Sequence, residues 1–225
     1  MNGKKRIYSE AAYVLGIVIL ALGTAMMERA DFGVSMVVAP AYLLHLKVSQ
    51  TWSWFSFGMA EYCMQAVLLV LLAIVMRKWK MQYFFSFCTA LFYGFVLDGC
   101  IRLVGLLPFE GPVGSILLFV IGMILCAMAI SLLFHTYVVP EAYELFVKEV
   151  SAGFGKNINI TKTVYDCCSC VIAILLSFLF FGLGHFEGVK WGTILCALVN
   201  GTLIGICSKG FDKWFEFPDY FKKKR

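Results

Sequence analysis

Two carboxylates stand near the start of long apolar runs, where an ionised side chain is costly. Glu61 lies in the run 57–76, and Asp166 lies in the run 164–182. Carboxylates at membrane depth generally face a cavity or a partner, and many of them carry protons or cations. We therefore predict that Glu61 and Asp166 couple the binding of an ion or proton to function. The alternative interpretation places both side chains at the headgroup boundary, with their charges extended into it.

The sequence around these carboxylates occurs twice. Residues 37–47 return as residues 138–148, with six of the eleven positions identical. The segment that contains Glu61 matches the one that contains Asp166, and the offset between the copies grows slightly along the chain. A repeat this long in a membrane chain indicates two homologous halves whose loops differ in length. A third matching pair consists of residues 88–94 and 195–201.

The composition is that of a membrane protein. Hydrophobic residues make up 61% of the chain and charged residues 15%, which is too apolar for an ordinary soluble domain. Six runs are long enough to cross the hydrocarbon core as helices, because a span needs about 20 apolar residues. These predicted spans lie near residues 11–27, 57–76, 83–104, 113–134, 164–182 and 191–207.

The basic residues predict the orientation of the chain. With six spans and a cytoplasmic start, fifteen of the 19 Lys and Arg residues fall on the inner side and four on the outer side, as the positive-inside rule requires. The net charge of +5 therefore reflects topology, and we expect no nucleic-acid partner. We predict a multi-pass protein of the cytoplasmic membrane with both termini in the cytoplasm. The four predicted outer residues are Arg29, Lys47, Arg102 and Lys190.

The span count and the repeat together predict the fold class. Each half has three spans, so the second half begins on the opposite side of the membrane from the first. We expect an all-α membrane protein whose six transmembrane helices form two inverted three-helix repeats, near residues 11–104 and 113–208. The whole chain, 1–225, is predicted to be a single integral membrane domain, in which residues 209–225 form a basic cytoplasmic tail beside anionic headgroups.

A short segment with a proline lies between the first and second spans of each half. Its two copies, residues 33–47 and 136–150, are too short to span and are predicted to form re-entrant or interfacial helices. If the helices re-enter the membrane, their N-termini present free N–H groups to one central site, which favours an anion. We predict helix starts near Ser35 and Thr136. The predicted substrate-binding residues of these segments are Ser35, Thr136, Tyr42 and Tyr143.

The remaining polar groups leave two interpretations open. Arg29 is flanked by Glu28 and Asp31, and it either forms a substrate-binding gate or belongs to a self-neutralised triplet at the outer surface. His135 and Glu141 occupy the corresponding region of the second half.

The nine cysteines fall almost entirely in apolar runs and do not complete a tetrahedral metal site, so we expect no metal and no cofactor.

These segments resemble the YczE/YitT class of bacterial integral membrane proteins. The first half contains Gly23 and the sequence Ala-Asp-Phe-Gly-Val-Ser at 30–35, similar to the Ala-x-x-Gly-x-Ser-Pro element of that class, although Met36 replaces the proline. The second half resembles the class in its Asp-containing span, which holds Asp166, and in its Gly-Thr-rich last span. The resemblance covers the chain to about residue 211 and implies the fold and the cytoplasmic-membrane location of that class.

The predicted function follows from the inverted repeat and its broken segments. This arrangement supports alternating access around a midplane site, so we predict a secondary transporter or exporter of a small anionic solute. A transporter should have a cavity that reaches one side and contacts Ser35, Thr136, Glu61 and Asp166.

Two other functions remain open. A non-transporting scaffold or regulator of a partner complex predicts a packed interior with those four residues satisfied locally. A channel would need a continuous polar pore, which six spans supply only as a homodimer. The sequence contains no nucleotide-binding, zinc-helix or nucleophile-elbow motif, so we expect no enzymatic activity.

Overall fold

The chain forms a bundle of α-helices with one short pair of strands. The structure, a computed structural model, describes residues 5–109, 111–156, 158–182 and 189–219, and the predicted basic residues Lys4 and 222–225 lie outside these ranges. The elements, in chain order, are β1 (Lys5–Arg6), α1 (Ser9–Ala30), α2 (Ala39–Val48), α3 (Phe57–Met76), α4 (Met81–Gly105), α5 (Gly111–Phe134), α6 (Ala142–Gly153), α7 (Ile158–Phe181), α8 (Trp191–Trp214) and β2 (Phe215–Glu216).

Six of these helices are long and apolar enough to cross a membrane: α1, α3, α4, α5, α7 from Ile160 onward, and α8. This confirms the six predicted spans and an all-α, multi-pass membrane protein. Helix α3 begins where the sequence predicts, because the Ser56 hydroxyl caps it by accepting the Met59 N–H at 3.1 Å. Helix α7 begins earlier than predicted, because polar residues such as Lys162 continue the helix beyond its most apolar part.

The two short helices begin later than predicted. Both α2 and α6 start after Ser35 and Thr136, where the sequence had placed their first turns. Proline explains the difference, since it disfavours helical conformation in the residue before it but fits the first turn of a helix. Pro40 lies in the first turn of α2, and Pro140 lies immediately before the N-cap of α6. Ser35 and Thr136 therefore belong to non-helical segments.

The first non-helical segment, residues 31–38, runs alongside α8. The N–H of Gly192 donates to the carbonyl of Phe32 at 2.9 Å. The hydroxyl of Thr193 donates to the carbonyl of Val34 at 2.8 Å. These bonds satisfy backbone carbonyls that no helix pairs, which is a requirement for an irregular segment buried in protein.

The second non-helical segment, residues 135–141, runs alongside α4 in a corresponding manner. The hydroxyl of Ser86 donates to the carbonyl of Pro140 at 2.8 Å, and that of Thr89 donates to the carbonyl of Val139 at 3.3 Å. In both segments, side chains of the last helix of a half therefore hold the irregular backbone of the other half.

One end of the bundle, here called the terminal end, holds both ends of the described chain. Strands β1 and β2 pair in parallel, and the N–H of Ile7 donates to the carbonyl of Glu216 at 3.0 Å. The segment before α6 joins them, because the Tyr137 N–H donates to the Ser9 hydroxyl at 3.2 Å. Since both ends of the chain meet here, an even number of spans must separate them.

The other end of the bundle, here called the opposite end, holds the basic residues that were predicted to lie outside. The Arg29 guanidinium donates to the carbonyls of Val104 and Leu107. The Lys190 ammonium pairs with Asp31 at 2.6 Å. Arg29 and Asp31 thus each have a partner outside the Glu28–Arg29–Asp31 triplet, while the charges of both also act on Glu28. The four basic residues concerned are Arg29, Lys47, Arg102 and Lys190.

The central contact of the bundle is between α1 and α5, which approach closely through facing glycines. A Cβ atom at Gly122 would lie 2.7 Å from the Gly23 carbonyl oxygen and 2.8 Å from Met27 Cγ. Small residues at such contacts let two helices pack backbone to backbone within a bilayer. The packing of α1 against α5 therefore depends on the absence of side chains at Gly23 and Gly122.

We expect Gly122→Val to lower the free energy of unfolding by about 2–3 kcal/mol, because the added side chain overpacks this contact. Unfolding of the purified protein in detergent measures the effect. The matched control is Gly205→Val on α8, where an added Cβ atom meets no atom within 4 Å. Equal losses in the two variants would show that the α1–α5 contact is not the cause.

Candidate functional site

A group of polar side chains is buried where α3 meets the start of α6. We call it the carboxylate cluster, and it consists of Glu61, Gln65, Glu141, Tyr143 and Glu144. Glu61 and Gln65 have no exposed surface, and Glu141 is 2% exposed. Glu61 therefore does not extend its charge to a surface. Burial of carboxylates on this scale requires hydrogen bonds, neutralisation, or both.

The Gln65 side chain bridges the two most buried carboxylates of the cluster. Its amide nitrogen donates to Glu141 Oε2 at 3.2 Å and to Glu61 Oε2 at 3.5 Å. Its oxygen accepts the N–H of Ala142 at 3.1 Å, which satisfies a free donor at the start of α6. The Tyr143 hydroxyl adds a further donor to Glu61 Oε2 at 2.9 Å. One glutamine thus fixes α6 and both carboxylates.

The second oxygen of each carboxylate has no partner in the described part of the chain. Both Glu61 Oε1 and Glu141 Oε1 are fully buried and accept no hydrogen bond. Buried polar atoms are nearly always paired, so an unpaired one in a native structure needs an explanation. Here the two unpaired atoms belong to neighbouring side chains that share one donor.

Glu144 connects the carboxylate cluster with a second polar group on α7. The charge of Glu144 acts on both Glu61 and Glu141. Burial raises the pKa of the Glu144 carboxyl above its ordinary value, and the nearby Lys162 ammonium opposes this shift. Lys162 itself lies 3.0 Å from Asp166 Oδ1, one helical turn along α7.

Two cavities adjoin these groups on the side of α7. The smaller has a volume of about 300 Å³ and is lined by Thr136, Glu144 and Lys162, among others. The larger, of about 480 Å³, lies between α7 and α8 and is lined by Lys162 and Asp166, among others. Lys162 and Phe134 line both, so the two cavities lie next to each other. Further polar or small residues of the larger cavity are Thr163, Asn200, Gly201, Gly205 and Ser208.

The interface between α3 and α4, in contrast, is closed. A Cβ atom at Gly94 would lie 2.7 Å from the carbonyl oxygen of Gly58 and 2.9 Å from the ring of Tyr62. Asp98 of α4 closes the interface near the opposite end, because it accepts the Ser56 hydroxyl and the N–H of Gly58, the latter at 2.9 Å. Direct backbone contact leaves no space for a solute between these helices.

The equivalent interface of the second half is open. The sequence repeat matches Gly58 and Gly94 with Thr163 and Gly201, yet a Cβ atom at Gly201 would meet nothing within 4 Å. Helices α3 and α4 pack against each other, whereas α7 and α8 do not pack closely in the described part of the chain, and the larger cavity lies between residues 162–167 of α7 and residues 197–208 of α8. The two matched interfaces are therefore in different states.

Of the predicted site residues, four lie at these groups. Glu61 and Tyr143 belong to the carboxylate cluster, Thr136 lines the smaller cavity, and Asp166 lines the larger. Glu61 and Asp166 do not contact each other. The charge of Glu144 acts on Glu61, and the charges of Lys162 and Asp166 act on Glu144.

The other three predicted residues lie elsewhere. Ser35 forms a turn, in which its carbonyl accepts the N–H groups of Val38 and Ala39. Its neighbour Met36, and not Ser35, lines the larger cavity. Tyr42 packs its ring against Phe57, with centroids 5.2 Å apart. Arg29 binds carbonyl groups at the opposite end.

Four residues of the site were not predicted from the sequence: Gln65, Glu141, Glu144 and Lys162. Gln65 follows Glu61 by one helical turn, and that spacing places both on one helix face. Lys162 precedes Asp166 by the same spacing but had been counted only as a topological charge. Glu141 lies in the best-matched repeated segment, and only the fold shows that it approaches α3.

Residues 7–209 match the model of a family of unknown function, DUF6198. Because this match covers most of the sequence, the chain belongs to that family. No curated protein and no solved structure matched the chain.

Proposed function

We propose that this member of the DUF6198 family is a secondary transporter of a small anionic solute, without enzymatic activity. The observation that carries the proposal is the difference between two matched interfaces. The α3–α4 interface is closed by direct glycine contact, whereas an open cavity, whose mainly apolar lining includes Lys162 and Asp166, lies between α7 and α8. Alternating access requires a protein whose related halves can exchange such states.

The packing of the helices supports an inverted repeat. If α1, α2, α3 and α4 are exchanged with α5, α6, α7 and α8, most of the packed pairs map onto one another: α1–α4 onto α5–α8, α2–α3 onto α6–α7, and α2–α7 onto α6–α3, whereas α3–α4 and α4–α6 have no packed counterpart among the described residues. The central pair α1–α5 maps onto itself. With three spans in each half and both chain ends at one end of the bundle, we infer a pseudo-two-fold axis in the membrane plane.

The non-helical segments support the re-entrant version of this fold. Segment 31–38 follows α8 inward from the opposite end, and segment 135–141 follows α4 inward from the terminal end. Helices α2 and α6 then return the chain to the end from which it came. Irregular backbone at membrane depth is tolerated where it is buried in protein or lines a wet cavity. Met36 of the first segment lines the larger cavity, and Thr136, Val138 and Pro140 of the second line the smaller one.

The larger cavity supports an anionic solute that also carries a hydrogen-bond donor. Lys162 carries the positive charge at this cavity and forms an ion pair with Asp166 Oδ1 at 3.0 Å. In our proposal, a solute anion competes with Asp166 for this ammonium group. The Asn200 Oδ1 atom is buried without a partner and would accept a hydroxyl or amino group of the solute.

The scaffold alternative predicts that Ser35, Thr136, Glu61 and Asp166 are satisfied locally, whereas Glu61 Oε1 has no hydrogen-bond partner in the described part of the chain. The transporter prediction of one cavity that contacts the same four residues is met only in part, because the two cavities contact Thr136 and Asp166 but neither Ser35 nor Glu61. Kinship with the YczE/YitT class, cytoplasmic termini in a bacterial membrane and a homodimer remain our predictions.

Solute counterflow into liposomes that contain the purified protein tests the function. The panel consists of hydroxy acids, amino acids, simple carboxylates and amines, and we expect uptake of one or more of the anions. No counterflow with any of them would overturn the proposal.

We expect Lys162→Met to lower counterflow of the transported anion at least tenfold, because the cavity loses its cation. The matched control is Lys156→Met, at an exposed lysine of the same end of the bundle that lines neither cavity. Normal transport by the Lys162 variant would show that the solute does not bind at this ammonium group.

A further inference from the structure

Glu61 and Glu141 approach a single hydrogen-bond donor. Each places its Oε2 atom near the Gln65 amide nitrogen, and each keeps its Oε1 atom buried and unpaired. The donors around the pair are one amide group and the Tyr143 phenol. Two ionised carboxylates here would set two like charges side by side in the protein interior, with neutral donors only.

The surroundings supply little positive charge to the pair. The titratable groups that face it from α1, α4, α6 and α7 are mostly neutral phenols or further acids, and the one cation among them, Lys162, is paired with Asp166. Burial, together with Glu144 and Glu61, raises the pKa of Glu141 well above its ordinary value. The groups concerned are Tyr13, Tyr93, Tyr143, Glu144, Lys162, Tyr165 and Asp166.

We propose that Glu61 and Glu141 form a proton-binding site that holds one proton for the pair. A protonated carboxyl group supplies an O–H donor, and an ionised one supplies an acceptor. Two ionised carboxylates would supply acceptors only, which leaves both Oε1 atoms without a donor. Such a pair titrates as a unit, in two separate steps. The use of this proton for coupling rests on the proposed function, whereas the binding of the proton does not.

The geometry favours a proton over a metal cation. A cation needs several oxygen ligands and space for itself, but Glu61 and Glu141 line neither of the two adjoining cavities, and Glu144 lines only the smaller one. The nearby oxygens of Gln65 and Pro140 already accept hydrogen bonds from Ala142 and Ser86. A proton requires neither a cavity nor these oxygens.

Glu144 provides the exit for the proton. It lies beside the pair, and it lines the smaller cavity, which is also lined by Lys162 and Lys148. The protonated carboxyl would transfer its proton to the ionised Glu144, whose O–H bond then breaks to release the proton to water in the cavity. The pair is left with both carboxylates ionised until it takes up another proton.

Infrared spectroscopy of the full-length protein in detergent tests this site through the C=O band of protonated carboxylic acids, followed against pH. We expect the wild type to keep such a band above neutral pH and to lose it in an upper titration step. In Glu61→Gln the upper step should move to lower pH, because the neighbouring charge that raises the pKa of Glu141 is gone. The double variant Glu61→Gln/Glu141→Gln should lack the band above neutral pH.

The isosteric amides preserve shape, and the exposed Glu216→Gln variant serves as a control that should leave both steps unchanged. An upper step that Glu61→Gln does not move, or no band above neutral pH, would overturn the shared proton. A band lost on adding sodium at constant pH would overturn it in favour of a cation. Normal titration without counterflow contradicts only the transporter, and counterflow without the upper step contradicts only this site.

Discussion

Replacement of Gly201 by leucine should abolish transport and leave the protein folded. Gly201 lies on α8 beside the open cavity, where an added Cβ atom meets no atom within 4 Å, whereas its counterpart Gly94 contacts Gly58 in the closed interface. If α8 closes onto α7 as α4 does onto α3, a leucine side chain occupies the space that closure must fill. We expect counterflow to fall at least tenfold, with a change in unfolding free energy within about 0.5 kcal/mol.

The reciprocal substitution identifies the cause. Gly94→Leu places atoms against the Gly58 carbonyl and the Tyr62 ring, so it should destabilise the closed interface and lower the free energy of unfolding by about 3 kcal/mol or more. The control is Gly210→Leu, on the same helix as Gly201 and also in open space. Normal counterflow by Gly201→Leu, or equal loss by Gly210→Leu, would mean that α8 does not close at Gly201.

The contrast between these glycines also shows which features of the structure can be predicted from the sequence. The duplicated sequence matches Gly94 with Gly201 and predicts two halves with the same elements, and hydropathy alone predicts all six spans. Neither pattern predicts that one interface is closed and the other open. A repeat describes what the halves have in common, whereas a single structure shows one state, in which the halves differ.

The candidate site was predictable where it depends on local spacing. Glu61 stood out because a carboxylate in an apolar run is costly. Its partner in space is Glu141, which is distant in sequence and reaches α3 only because the segment before α6 bends inward along α4. The sequence repeat paired Glu61 with Asp166, which is its counterpart in the repeated sequence and not its neighbour in space.

The starts of the two short helices were predicted wrongly, for a different reason. Proline was interpreted as an interruption of each short helix, although the same residue favours a first turn. Helix α2 begins at Ala39, next to Pro40, and α6 begins at Ala142, two residues after Pro140. Their N-termini therefore lie further along the chain than Ser35 and Thr136. The free N–H group of Ala142 is consequently bound by Gln65 and is not available to a solute. The predicted dipole site is thus occupied by the protein itself, at least in α6.

This double role of Gln65 makes it the residue whose loss should cost most. Gln65→Leu removes the donor to Glu61 and Glu141 and the acceptor of the Ala142 N–H, all of which are buried. Each buried group left unsatisfied costs about 1–3 kcal/mol, so we expect the free energy of unfolding to fall by about 3–6 kcal/mol. Denaturation in detergent measures it, with Cys63→Leu on the exposed face of the same helix as control.

A double-mutant cycle separates this network from simple packing. In the Glu141→Gln background the new amide can donate to Glu61, so the loss caused by Gln65→Leu should be smaller there by about 1 kcal/mol or more. If the two losses are equal, Gln65 and Glu141 do not act together, and the bridge between the carboxylates is not what holds α6 against α3. A smaller loss would show that the stability of this part of the bundle depends on how the two carboxylates are satisfied, and therefore on their protonation.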